Sequence, residues 1–375
     1  MSSDPIIFLS LAQARSGVLL DRELPRDYFL ACRFMHCGVI DRTFSLDQGF
    51  SYSILDKIPE PVQPTASFAE LCDSTGDDLV AEAVRTRRTI AVLWSGGIDS
   101  TSALIAIMKA AEKRGQKRRI QVLLSRESVQ EYPRFYLSFI NNKYRQRPVS
   151  PPIADSLDPA LLNVTGELGD QLFGSMILEP YVREGMAGEN YEDVLHEVMI
   201  DRLGNEARGE RLRHYLEPVI DKAPVRIRTL FDYLWWLNFT LKWQAVTLRL
   251  LAARRDGSRQ LYQSLHHFFR SIAFQQWSFY NPRARTTAVW ERYKEAAKQY
   301  ILSYTGDETY YRHKEKEPSL GLVMRKSEDR GSPVRVFMGR DFHPVFSVTN
   351  DFGRRDDPEP EPQTDATPEP EVVDV

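Results

Sequence analysis

Between Thr89 and Ala111 the chain reads TIAVLWSGGIDSTSALIAIMKAA. A run of apolar and β-branched residues stops at Ser95-Gly96-Gly97, and an alanine-rich amphipathic stretch begins at once. The pattern predicts a strand over Thr89–Trp94, a sharp turn, and a helix over Ser100–Lys113. Such a turn aims several backbone N–H groups at one point, with a helix N-terminus behind them, and so suits a phosphate. The two glycines let backbone approach a ligand oxygen without a Cβ in the way. Ser95, Ser100 and Thr101 add hydroxyls. Asp99 is the odd member, because a carboxylate repels phosphate unless a cation stands between them; that points to Mg²⁺. The simpler reading is a tight turn with a good helix cap.

A second stretch of the same character is NVTGELGDQLFGS, Asn163–Ser175, where glycines and carboxylates again follow an expected strand, Ala160–Thr165. The first loop ends in neither Gly-Lys-Ser/Thr nor G-x-G-x-x-G, which excludes a Walker A loop and a dinucleotide fingerprint. It resembles instead the Ser-Gly-Gly-x-Asp-Ser pyrophosphate loop (PP-loop) of the N-type ATP pyrophosphatases. The second stretch resembles the Gly-Glu-Gly-x-Asp-Glu-Leu-Phe-Gly motif of the asparagine synthetase branch. Gly166, Glu167, Gly169, Asp170, Leu172, Phe173 and Gly174 match; Leu168 replaces a glycine and Gln171 a glutamate. The resemblance spans Phe68–Arg325, and the two loops are its specific part.

That resemblance implies a mostly parallel α/β sheet sandwiched by helices, with the two loops meeting at the carboxyl ends of neighbouring strands. It implies ATP held by Ser95, Gly96, Gly97, Asp99, Ser100, Thr101 and Gly166, with Mg²⁺ shared by Asp99 and Asp170. It places Glu167 at the reacting acyl group, as general base or part of the acceptor pocket. The adenine base would pack near Leu93, Trp94 and Val122–Ser128. YYRHKEKEPS, Tyr310–Ser319, resembles the segment that brings a lysine to the α-phosphate, giving Lys314 that role, with Lys316 as the substitute. The expected activity is carbon–nitrogen ligation: ATP adenylates a carboxylate, pyrophosphate leaves, and a nitrogen nucleophile displaces AMP. No glutaminase nucleophile follows Met1, since Ser2 and Ser3 stand there, so ammonia from solution, a separate donor or a partner protein would supply nitrogen. Two alternatives stay open: a PP-loop enzyme modifying a base in tRNA or DNA or a deazapurine, and an inactive nucleotide-binding subunit.

The elements that must carry these residues form a βα succession. A helix is expected over Phe68–Arg85, a strand over Ile120–Leu124 and a helix over Glu131–Tyr144 after Pro133. From Tyr191 to Tyr304 the periodicity is helical, with long segments at Val194–Leu203, Val225–Arg254 and Thr287–Tyr304, and His266-His267 falls inside this pattern. LFDYLWWLNFTLKW, Leu230–Trp243, is interrupted by polar residues and too short for a membrane span, so it reads as a buried helix. Ser319–Arg340 suggests a small hairpin. The chain thus divides into an N-terminal segment (1–64), a PP-loop core (65–185), a helical extension (186–350) and an acidic tail (351–375).

The 375 residues carry a net charge of −3. Eight acidic residues and no Lys or Arg lie between Asp356 and Val375; with these set apart, the remainder carries +5, which suits an anionic ligand. The Pro/Glu-rich tail is expected to be disordered. The basic clusters, such as Glu112–Arg119, lack the aromatic interleaving of a nucleic-acid surface and read as solvated helix ends. Three cysteines, Cys32, Cys37 and Cys72, form no metal-ligand pattern and fit a reducing cytoplasm.

Overall fold

The computed structural model describes residues 4–9, 18–19, 22–150, 153–252, 258–315, 335–338 and 343–346. At its centre is a sheet of five strands: β2 (Ile90–Leu93), β3 (Ile120–Leu124), β4 (Arg145–Pro148), β5 (Leu162–Thr165) and β6 (Leu265–His267). Their order is β4-β3-β2-β5-β6, and every pair is parallel. A parallel sheet needs apolar cover on both faces, and the strand residues divide accordingly. Ile90 and Val92 face the main core, whereas Ala91 and Leu93 join Leu123, Val149 and Leu248 in a second cluster. After a first helix, α1 (Arg26–Met35), helices α2 (Phe68–Arg85) and α3 (Ile98–Lys113) pack on each other beside the sheet. Ser67 starts α2 as a full capping box with Glu70.

The chain leaves β2 through α3 to reach β3 on one side, and later returns to place β5 on the other. The order therefore reverses at β2. In open α/β sheets, ligands bind outside the carboxyl ends of strands at such a reversal. Leu93, the last residue of β2, lies directly opposite Thr165, the last of β5. Both glycine loops accordingly start side by side.

The helical region supports the second loop. Helices α6 (Tyr191–Leu203), α7 (Glu206–Ile220), α8 (Leu230–Leu241), α9 (Trp243–Ala252) and α10 (Ile272–Tyr280) follow it. The aromatic run of α8 is fully packed: Trp235 and Trp236 are buried, and neither reaches a cleft. The Trp235 indole donates to the Leu172 carbonyl (3.1 Å), and the Arg285 guanidinium lies 3.4 Å from its ring centroid while bonding Asp232. The core helix expected at Leu230 is thus also a brace.

Several boundaries differ from the sequence reading. Helix α3 begins at Ile98, two residues before Ser100, because Gly97 takes the extended cap conformation and brings Asp99 into the first turn. Glu131–Tyr144 is not one helix: α4 (Arg126–Glu131) ends before Pro133, and a π-turn covers Tyr136–Ile140. Val225–Arg254 breaks at Lys242 into α8 and α9. His266-His267 lie in strand β6, not a helix; a three-residue Leu-His-His strand next to a helix is too short to show a distinctive period. Strand β4 is a polar edge strand without an apolar pattern.

The first residues are woven into the same core. β1 (Ile6–Phe8) pairs antiparallel with β7 (Arg335–Met338), which pairs in turn with β8 (His343–Phe346). The first strand of this hairpin falls inside the expected Ser319–Arg340 and the second follows it; the rest of that stretch lies outside the described residues, as do Lys316 and the acidic tail. Arg42 is buried and donates to the Phe239 carbonyl (3.2 Å) and Gln275 Oε1 (2.8 Å). No helix among the described residues is long and apolar enough to cross a membrane.

Candidate active site

The first loop is held in shape by its own hydroxyls. The Ser95 amide donates to Ser100 Oγ (3.1 Å), the two serine hydroxyls bond each other (2.9 Å), and the Gly97 amide donates to Ser95 Oγ (3.3 Å). Gly96 has φ +83, and a Cβ there would stand 2.5 Å from the Ser128 carbonyl oxygen, so this position needs glycine. The loop is fixed before any ligand arrives. Thr101 is not part of that surface. It is fully buried below the turn, where its hydroxyl accepts from the Trp94 indole (3.0 Å).

The second loop lies directly on the first. A Cβ on Gly166 would stand 2.6 Å from the Ser100 amide nitrogen, and one on Gly169 would fall on the Asp99 carboxylate. Asp170 follows in the first turn of the short helix α5 (Gly169–Phe173). Leu168 stands where the resembled motif has glycine, yet the backbone keeps the left-handed conformation, φ 72. A leucine costs roughly 1–2 kcal/mol there, which its buried side chain offsets. Gln171 does not face the loops; it is buried and donates to Asn238 Oδ1 on α8 (3.4 Å). Asn238 in turn donates to the Asp170 carbonyl (2.9 Å). The exchanged glutamate position therefore belongs to the brace of the loop.

Asp99 and Asp170 share one cation, the ammonium of Lys294. Nζ bonds Asp99 Oδ2 and lies 2.5 Å from Asp170 Oδ1, and the lysine side chain is 0% exposed. Lys294 also has left-handed backbone, φ 61, immediately before α11 (Glu295–Thr305). The expected helix from Thr287 therefore starts late. Strain at a buried charged residue is the kind of cost that functional sites retain. Its neighbour Tyr293 pins the segment by accepting from the Ser175 amide (2.8 Å). Burial keeps that phenol protonated, well above its usual range.

Glu167 is buried and bonded to the guanidinium of Arg249, which is about a third exposed. Its backbone is supported from behind: the Glu167 amide donates to Thr165 Oγ1 (3.3 Å), which pairs with His267 Nδ1 (2.8 Å). His267 Nε2 faces the Thr247 carbonyl (2.9 Å), so the hydrogen sits on Nε2 and the ring is neutral. Burial pulls this imidazole down to about 3.

The third segment arrives beside the first loop. Tyr310, on α12 (Glu308–His313), stacks on Tyr132 at 3.8 Å, and its hydroxyl donates to the Gly96 carbonyl (3.4 Å). Lys314 follows, with Nζ 3.1 Å from Glu131 Oε1; both side chains are buried. Lys298, one turn beyond Lys294, donates to the Glu291 carbonyl, and burial lowers its amine to about 8. Among the described residues, the three buried lysines are Lys294, Lys298 and Lys314. Leu93 and Trp94 are packed inside the core and offer no open face to an adenine base, whereas Arg126 and Glu127 of the Val122–Ser128 segment are exposed.

The structure thus brings together Ser95, Gly96, Gly97, Asp99, Ser100, Gly166, Glu167, Asp170 and Lys314, and leaves Leu93 and Thr101 in the interior. Sequence reading misses Lys294, Lys298 and Arg249. Their only sequence trace is a lysine pair spaced by one helical turn. Among the described residues no group of three or more His, Cys, Asp or Glu side chains converges on a point. Two carboxylates reaching one cation do fit Mg²⁺, which takes one or two carboxylates and completes its shell from phosphate and water. Two of the three thiols offer no rival chemistry: burial pushes Cys32 up to about 12 and Cys72 well above its usual value. No protein-family model matches the chain, and no curated protein matches it.

Proposed function

We propose that the chain is an ATP-dependent carbon–nitrogen ligase of the asparagine synthetase kind, forming AMP and pyrophosphate. The observation that carries this reading is the meeting of Asp99 and Asp170 on one cation, between two glycine loops at the sheet's reversal point. In this reading the amides of Ser95–Gly97 and the N-terminus of α3 receive the triphosphate. Lys294 and Lys314 face the charge that develops as pyrophosphate departs. Asp99 and Asp170 would hold a magnesium ion, which would supply the remaining neutralisation. A substrate carboxylate oxygen attacks the α-phosphorus, the bond to the β-phosphate breaks, and pyrophosphate leaves. The nitrogen nucleophile then adds to the acyl carbon and expels AMP. Glu167, oriented by Arg249 and by the Thr165–His267 pair, takes the proton of that nitrogen.

The test is pyrophosphate release by the full chain with ATP and Mg²⁺, screened against mixtures of carboxylates and amines. Adenylation transfers a carboxylate oxygen to AMP, so a heavy-oxygen label on the acid must appear in AMP. Nucleotide binding with no release under any mixture sinks the proposal; release that requires nucleic acid redirects it to base modification.

A further inference from the structure

Two partly buried carboxylates and one buried ammonium occupy the gap between the loops, with Nζ 2.5 Å from Asp170 Oδ1 and bonded to Asp99. The side chain of Lys294 is fully enclosed, and its backbone is held in a conformation that costs energy. Mg²⁺ binds oxygen at close range and cannot share this gap with an ammonium. We propose that Lys294 is an internal counter-ion that closes the carboxylate pair to free divalent cations. The metal then enters only together with a triphosphate, whose oxygens take over the ammonium as it leaves the carboxylates. This inference rests on the ligase reading for its nucleotide, but its central claim concerns the protein alone. Removing the ammonium takes a cation away from two neighbouring, partly buried carboxylates, which favours a metal ion able to reach them.

The experiment measures Mn²⁺ binding by electron paramagnetic resonance of the free ion, on the full chain without turnover. Without nucleotide, the wild-type protein is expected to show no saturable site, and Lys294→Met to bind at least about tenfold more tightly. Adding Asp170→Asn to Lys294→Met abolishes that gain. With a non-hydrolysable ATP analogue, the wild-type protein acquires a saturable Mn²⁺ site. Saturable nucleotide-free binding by the wild type, or equal affinity in Lys294→Met, overturns the inference. The first of these readings needs no variant, so it decides the matter even if Lys294→Met does not fold. Failure of the analogue to bring Mn²⁺ to a wild-type protein that lacks it counts instead against the nucleotide reading.

Discussion

The carboxylate of Asp99 lies where a Cβ on residue 169 would stand. Asp99 opens one helix and Gly169 opens another, so this contact fixes the spacing of the two loops. Gly169→Ala is expected to push Asp99 off Lys294 and lower stability by about 1–3 kcal/mol. Urea denaturation, with pyrophosphate release measured in parallel, checks both effects.

Asp170→Asn keeps the shape and an acceptor for Lys294 but removes the charge. Pyrophosphate release is expected to fall at least about 100-fold while the cooperative unfolding transition persists. A variant with unaltered turnover removes Asp170 from the chemistry.

Gln171→Glu restores the side chain found at this position in the resembled motif, yet it is expected to harm the protein. The new carboxylate faces Asn238 Oδ1 in a buried site and costs about 1–3 kcal/mol. The loss grows as pH rises and ionises the acid. Thermal melts at several pH values, with no gain in pyrophosphate release, are the expected result.

Leu168→Gly sets two effects against each other. Glycine relieves the left-handed strain, worth roughly 1–2 kcal/mol. Removing a buried leucine side chain costs about 2–5 kcal/mol. The cavity wins, so a net loss is expected in equilibrium denaturation, and a stabilised variant refutes the ranking.

His267 makes stability depend on pH. Its folded value, about 3, lies below the ordinary 6.5 because burial disfavours the charged ring. The unfolded chain therefore takes up a proton that the folded chain refuses. Stability is full above about pH 6.5 and declines as pH falls toward 3, by about 1.4 kcal/mol per unit for one proton. Burial lowers His266 as well, in the same sense. His267→Gln should flatten the slope of unfolding free energy against pH.

The two loops were legible because their chemistry is local: glycine, hydroxyl and carboxylate stand within a few residues of a strand end. Strands β2, β3 and β5 are short stretches rich in aliphatic residues and are legible for the same reason. Lys294 was not legible, because it reaches Asp170 from a distant segment through packing that no sequence period records. The neighbouring run Val225–Arg254 read as one helix, since nothing in its composition marks the break at Lys242. Leu168 hid its backbone, because a buried leucine gives no sign of a left-handed turn. Leu93 and Thr101 were assigned outward from their position beside the loop, but the strand's pleat and the Trp94 indole turn them inward.

Strand β1 has its partner at the other end of the chain, with Ile6 opposite Phe337. During synthesis this strand leaves the ribosome long before β7 exists, and its edge must wait exposed until almost the whole polypeptide has emerged. Contacts so distant in sequence form late. The sheet carrying the loops can therefore assemble first, and a chain halted before Phe337 would keep that sheet while lacking its final clasp.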